Sequence, residues 1–219
     1  MGRSSIDGFD QGLHVVVDVI DVHLHQLNRT SPVLLAIAGG SCSGKSLLAQ
    51  KLAEIMARLS IETSVLNFDD YYKDIDYPAF PFDDHSRAIF DLPQSYLLDE
   101  FNRDVKRLLS GESIASPVYD KKTNKRLSGA TRPVIARPVV ITEGLFVISA
   151  MGDISEAIKI FITADDEVRI ARRIKRDTGV LHDSPEDTLL FIVERVEPYY
   201  EKYVAPQMEQ ADLVILNND

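Results

Sequence analysis

"PVLLAIAGGSCSGKSLLAQKLAEIMARL", Pro32 to Leu59, places two apolar runs on either side of eight small or polar residues. The first run, Val33 to Ala38, is a continuous apolar stretch of buried-strand length. In the second, Leu48, Leu52, Ile55, Met56 and Leu59 fall on one face of a helix. The joint between them satisfies Gly, four residues, Gly-Lys-Ser as Gly39, Gly44, Lys45 and Ser46. Glycines let such a loop take backbone angles closed to other residues and let its N–H groups approach an anion. Those N–H groups and the positive end of the following helix form a phosphate cradle. The candidate nucleotide-binding residues are therefore Gly39, Gly40, Ser41, Cys42, Ser43, Gly44, Lys45, Ser46 and Leu47. Lys45 would reach the β- and γ-phosphates, and Ser46 would put its hydroxyl on Mg²⁺. Cys42 reads as a small filler of the loop, with a thiol that helix-terminal N–H groups can activate.

Moving outward, "TSVLNFDD" (63–70) reads as a second strand, "RPVVITEG" (137–144) as a third, "AIKIFITAD" (157–165) as a fourth and "ADLVILN" (211–217) as a fifth. "YLLDEFNRDVKRLLSGE" is an amphipathic helix ending at Gly111. Ser184, Pro185 and Asp187 make a helix start. Apolar strands alternating with amphipathic helices imply an α/β fold, an open parallel sheet with helices on both faces. Residues 71–93 lack periodicity and read as a long irregular excursion; "SPVYDKKTNKRLSG" reads as a polar hairpin within a second excursion, 112–136. Residues 1–30 read as an N-terminal extension, with helical spacing over 11–28 that Val15, Val17, Val19 and Val22 would also permit as a strand. His23 and His25 read there as exposed groups near a helix end rather than metal ligands.

The 219 residues suit one domain, 31–219, beyond that extension. Lys and Arg number 24 against 34 Asp and Glu, a net charge of −10, which argues against nucleic acid or an anionic membrane as partner. No apolar run approaches the roughly 20 residues of a membrane helix, and the first residues do not read as a secretory signal. A single cysteine allows no internal disulfide and fits the cytoplasm. A homo-oligomer stays open.

Three further features bear on chemistry. Asp69, at the end of the second strand, stands where ligands meet an open parallel sheet. It could accept a proton from a hydroxyl that Tyr72 helps position, although Asp69 and Asp70 alone also suit a loop or a helix cap. Glu143 ends the third strand, where an acid commonly helps hold Mg²⁺; no guanine-reading "NKxD" follows. Arg169, Arg172, Arg173 and Arg176 share one helical face. Like charges at that spacing destabilise a helix, which favours a phosphate clamp over neutralisation by Asp165, Asp166, Glu167 and Asp177.

"GGSCSGKS", "FDDYY", "FDLPQSY", "SPVYD", "ITEGL", "DDEVRIARRIKRD" and "EPYYEKYVAPQMEQADLVI" occur in an order and spacing that resemble the uridine kinase and phosphoribulokinase family, from about Val33 onward. The resemblance implies a P-loop NTPase fold of five parallel strands in order 2-3-1-4-5. It implies transfer of the ATP γ-phosphate, with Mg²⁺, to a hydroxyl of a small molecule, often a nucleoside 5′-hydroxyl. Asp69, Lys45 and Arg176 take the catalytic positions. Ser46 and Glu143 match the metal site. Tyr72, Asp91, Tyr119, Asn124, Arg169 and Arg173 match the acceptor site, with Tyr119 as the ring that stacks on a base. Uridine-reading positions are altered. Asn124 replaces a histidine, Leu181 and Asp183 replace lid arginines, and Phe191 stands at an expected glutamine. The transfer machinery is therefore intact and the base-reading machinery is not. The acceptor can then be another nucleoside, pantothenate, a sugar phosphate or a vitamin riboside, or the chain can be a nucleotide-binding regulatory module.

Overall fold

The unbroken apolar run Val33–Ala38 has a direct consequence in space. A computed structural model describes residues 4–25, 31–152, 154, 156–180 and 184–219. In it the strand β2 (Val33–Ala38) is buried at every position, because helices cover both faces of the sheet. Val33, Leu35 and Ile37 enter one core cluster and Leu34, Ala36 and Ala38 the other, as the two-residue period of a strand requires.

In chain order the elements are β1 (Ser4–Asp7), α1 (Phe9–Leu24), β2, α2 (Lys45–Arg58), β3 (Thr63–Asn67), α3 (Leu98–Leu109), β4 (Ile114–Asp120), β5 (Lys125–Val134), β6 (Val139–Gly144), α4 (Val147–Ala150), β7 (Ile158–Thr163), α5 (Asp166–Asp177), α6 (Pro185–Phe191) and β8 (Leu213–Leu216). Helical turns continue α6 as far as Gln210. The main sheet is parallel and runs β1-β8-β7-β2-β6-β3. Its last five strands, read from β3, have the expected 2-3-1-4-5 order. The sheet has six strands rather than five, because Ser4–Asp7 adds an edge strand beside β8. "SSID" is short, polar and largely exposed. Its place rests on backbone pairing, which leaves no apolar pattern to read.

Helix α1 spans Phe9–Leu24 rather than 11–28; positions 26–28 of that expectation lie outside the described residues. It buries Phe9, Leu13, Val16 and Ile20 beside the Leu48, Leu52 and Met56 stripe of α2. His23 and His25 bond carbonyls of their own helix, at Val19 and Asp21. The opposite face is covered by Phe68, Phe101, Val105, Leu108, Phe146 and Val147. The polar hairpin is β4–β5, antiparallel. Among the described residues no helix is long and apolar enough to cross a membrane.

Candidate active site

The loop after β2 is shaped by close approach. A Cβ at Gly39 would overlap the Ile162 carbonyl oxygen. Gly44 has φ +108 and faces Asn217 Nδ2 at a distance that admits no side chain. Asn217, just past β8, donates from Nδ2 to the Ser43 carbonyl at 2.8 Å and so ties the loop to the sheet. Helix α2 then begins with no side-chain cap and no acidic residue in its first turn. Its first N–H groups are therefore left for an anion. Lys45 Nζ lies across the loop and donates to the Gly40 carbonyl at 2.7 Å. Burial lowers the Lys45 pKa, while Glu143 and Asp69 oppose the shift.

Strands β2, β3 and β6 bring the neighbouring acids to this point. Glu143, one residue before the end of β6, pairs in register with Ile37 on one side and Asn67 on the other. Ser46 Oγ donates to Glu143 Oε1 at 3.1 Å. Burial raises the Glu143 pKa and Asp69 adds to it, against the pull of Lys45. A hydroxyl and a carboxylate side by side are hard oxygen donors suited to Mg²⁺, which keeps other positions for phosphate oxygens and water. No cluster of three or more His, Cys, Asp or Glu suited to a metal exists among the described residues.

Asp69 lies in a 3₁₀ turn capped by Asn67, whose Oδ1 accepts the Asp69 N–H at 3.2 Å. Lys121, from the hairpin, donates from Nζ to Asp69 Oδ2 at 2.7 Å. The hairpin is delivered there by the buried Asp70, which accepts Arg132 Nη1 at 2.7 Å and the Tyr119 N–H at 3.2 Å. Tyr72 and Tyr119 are thus brought together, ring centroids 5.2 Å apart, and Tyr72 stacks on Tyr96 at 4.0 Å. Asp91 faces the same space. Burial raises its pKa, Arg173, Lys45 and Arg176 oppose that, and Asp69 adds to it. Asn124 forms the hairpin turn with φ +53, and its carbonyl accepts the Ile75 N–H at 2.9 Å. The hairpin cations are engaged: Lys125 with Asp76 and Arg126 with Glu100.

The arginine face of α5 is divided. Arg169 is 2% exposed, bonded to Glu197 and Asp166 and stacked 3.9 Å over Tyr200. It backs the loop, since a Cβ at Gly40 would come 3.1 Å from Arg169 Nη1. Its expected acceptor contact does not fit this burial. Arg172 donates to the carbonyls of Cys42, Asn217 and Asp219. Arg173 and Arg176 share Asp177, and Arg176 Nη1 also reaches Ser41 Oγ at 3.4 Å. Phe191 lies 5.8 Å from the Arg173 guanidinium. Leu181 and Asp183 lie outside the described residues. Neutralisation therefore accounts for more of this face than the spacing suggested. Asn217 is a site residue that sequence reasoning did not place, whereas Asp177 reads in the sequence as a neutralising partner of the arginines and Lys121 as a solvated hairpin charge. Asp177 stands four residues after Arg173, and Asn217 at the carboxyl end of a strand, so both positions carried a signal.

The model of the Phosphoribulokinase / Uridine kinase family matches residues 34–218. A uridine kinase of Streptococcus pyogenes serotype M5 (strain Manfredo) is 30% identical over 186 residues, covering 84% of this chain and 86% of its own. The D-glycerate 3-kinase of Cryptococcus neoformans has a similar fold, with TM-score 0.66 and 15% identity over 95% of each chain. The phosphoribulokinase of Rhodobacter spheroides has TM-score 0.56 and 15% identity, covering 82% of this chain and 67% of its own. With the phosphate loop, the oxygen pair at Ser46 and Glu143 and the parallel sheet in place, the chain belongs to the phosphoribulokinase / uridine kinase family, as a uridine kinase-like phosphotransferase that acts on a hydroxyl group with ATP and Mg²⁺.

Proposed function

We propose that the acceptor is a small molecule with a ring beside Tyr119, and that the reacting group is the 5′-hydroxyl of a nucleoside. The observation that carries this is the meeting of Lys45, Asp69 and Glu143, at the carboxyl ends of β2, β3 and β6, with Asp91 and the Tyr72–Tyr119 ring pair. Asp69 orients the hydroxyl and takes its proton. The acceptor oxygen bonds the γ-phosphorus in line as the bond to the β-phosphate oxygen breaks. Lys45, Arg176 and the loop N–H groups hold the charge on the transferred group. Asp91 and Arg173 hold sugar hydroxyls. Ser46 and Glu143 would hold Mg²⁺, which when bound neutralises phosphate charge. The reaction is placed in the cytoplasm.

Two results test these roles. Glu143→Gln should raise the Mg²⁺ concentration for half-maximal activity about tenfold, read by titrating Mg²⁺ at fixed ATP; an unchanged requirement would remove Glu143 from the metal site. Tyr119→Ala should raise the acceptor KM about tenfold, the worth of one stacked base, with kcat within about twofold. The acceptor itself is found by following ADP release against uridine, cytidine, other nucleosides, pantothenate and ribulose 5-phosphate. Turnover with a nucleoside supports the reading, and turnover with another compound alone moves the assignment. One observation favours a second reading, an acceptor that carries an anionic group. The Lys121 ammonium stands at Asp69, and a phosphate or carboxylate on the acceptor would draw it away.

A further inference from the structure

Lys121 stands against Asp69, the proposed base. Its Nζ donates to Asp69 Oδ2 at 2.7 Å from a position 52 residues away in the chain. The turn that carries it is fastened rather than loose. Asp120 accepts the Lys122 N–H at 2.9 Å and the Thr123 hydroxyl at 2.8 Å. Asp74 Oδ1 accepts the Arg126 N–H at 2.7 Å, and the Asn124 carbonyl accepts the Ile75 N–H at 2.9 Å. With the Asp70 anchor, these bonds fix where the Lys121 stem begins. Lys125 and Arg126 pair with Asp76 and Glu100, whereas Lys121 pairs with a residue of the site.

The Lys121 ammonium also lies within electrostatic reach of Glu143 and Arg176, and the same Asp69, Glu143 and Arg176 act on Lys45. Two lysines, one from the phosphate loop and one from the hairpin, therefore meet one group of charges. That is where a phosphoryl group passes from the loop to a hydroxyl at Asp69. Its negative charge is spread over three oxygens in transit, and few cations are left to meet it. Arg169 is bonded to Glu197 and Asp166, Arg172 to backbone carbonyls, and Arg173 and Arg176 share Asp177. From Thr178 to Glu194 the sequence has neither lysine nor arginine. The donor count of Lys121 suits the task. An ammonium has three N–H donors. One goes to Asp69 Oδ2, and the other two have no partner among the described residues. Asp69 Oδ1 likewise accepts no protein hydrogen bond there.

We propose that Lys121 is a further catalytic residue, which bonds the γ-phosphoryl of ATP while it holds Asp69 Oδ2, so that Oδ1 is left to take the acceptor proton. The inference rests on the kinase reading and adds to it a hairpin group that touches the reacting atoms. The acceptor oxygen bonds phosphorus, the bond to the β-phosphate oxygen breaks, the proton passes to Asp69, and Lys121 stays an ammonium throughout. Calorimetric titration of the full chain with Mg²⁺ and no acceptor tests the contact by comparing ATP with ADP. The Lys121 side chain is largely exposed, so its variants remove no core packing. Lys121→Met should weaken ATP binding about tenfold, the worth of one charge-assisted hydrogen bond, and leave ADP within about twofold. Lys121→Arg, which keeps the charge, should hold ATP within about threefold of the parent. With an acceptor that turns over, Lys121→Met should lower kcat about a hundredfold and leave the acceptor KM within about threefold. Unchanged ATP binding, or an equal loss for ATP and ADP, overturns the assignment while the kinase reading stands. A raised acceptor KM with kcat unchanged gives Lys121 to an anionic group on the acceptor and overturns it too. A parent chain that binds neither nucleotide removes both readings.

Discussion

Asp69→Asn is expected to lower kcat about a thousandfold, the middle of what a positioned general base contributes, and to leave ATP affinity within about twofold. Asparagine keeps the shape and one hydrogen-bonding oxygen, so the substrate hydroxyl can still be placed but its proton has no base to go to. The fold should be indifferent, because the residue that fastens this turn to the hairpin is its neighbour Asp70, which holds Arg132 and the Tyr119 N–H. Among the described residues, the one side-chain partner of the Asp69 carboxylate is the Lys121 ammonium, 2.7 Å away on a largely exposed side chain; pairs of that kind contribute within about 1 kcal/mol. Single-turnover kinetics with a responding acceptor measure the loss, and calorimetry with ATP alone measures the affinity. Equal turnover in the variant and the parent would take the base role from Asp69. A regulatory module that only binds nucleotide would show no dependence on this residue in either measurement.

What could be read in advance follows from how local each signal was. Val33–Ala38 is apolar at all six positions because both faces of the strand are buried. The helix after it carries its stripe at helical spacing, so strand, loop and helix were legible in one stretch of chain. The edge strand Ser4–Asp7 was not, since backbone pairing with Leu213–Leu216 holds it and Ile6 is its single apolar side chain, too little to make a pattern. The arginine face shows the limit of spacing in another way. The four residues do share one side of α5, and Arg173 and Arg176 share Asp177 of the same helix, but the partners that hold Arg169 and Arg172 come largely from elsewhere: Glu197 from a later helical turn, Cys42 from the phosphate loop and Asn217 from the end of β8. Lys121 likewise reads as a solvated hairpin charge until the Asp70 anchor brings it over the fold to Asp69, 52 residues away in the chain.

Asp177→Ala is expected to destabilise the fold by about 3 kcal/mol, the lower end of what removing one partner of a buried ion pair costs, and to lower kcat as well. Asp177 is 2% exposed and accepts from Arg173 Nε at 3.2 Å and from Arg176 Nε at 2.6 Å. The two arginines would fare differently without it. Arg173 is 11% exposed and would be left as a buried charge with its main partner gone, whereas Arg176, with 53% of its side chain exposed, can turn to water. That asymmetry places the cost at the lower end. It also predicts the kinetic effect, because an Arg176 released to solvent no longer points toward Ser41 Oγ and the phosphate loop. Urea denaturation at neutral pH measures the first effect, and kcat at saturating ATP the second. The pH dependence supplies a separate check. Burial alone would raise the Asp177 carboxyl, but the hydrogen bonds and charges of Arg176 and Arg173 outweigh it and hold the group below its ordinary value of 3.8. A carboxyl depressed in the folded state contributes stability that is fully present above the unfolded value and is lost as pH falls through the folded one. The gap between parent and Asp177→Ala should therefore stay constant from neutral pH down to about 5, and close only as the carboxyl takes up its proton below about 4. A gap that closed between pH 6 and 7 would point to a histidine and not to this carboxylate.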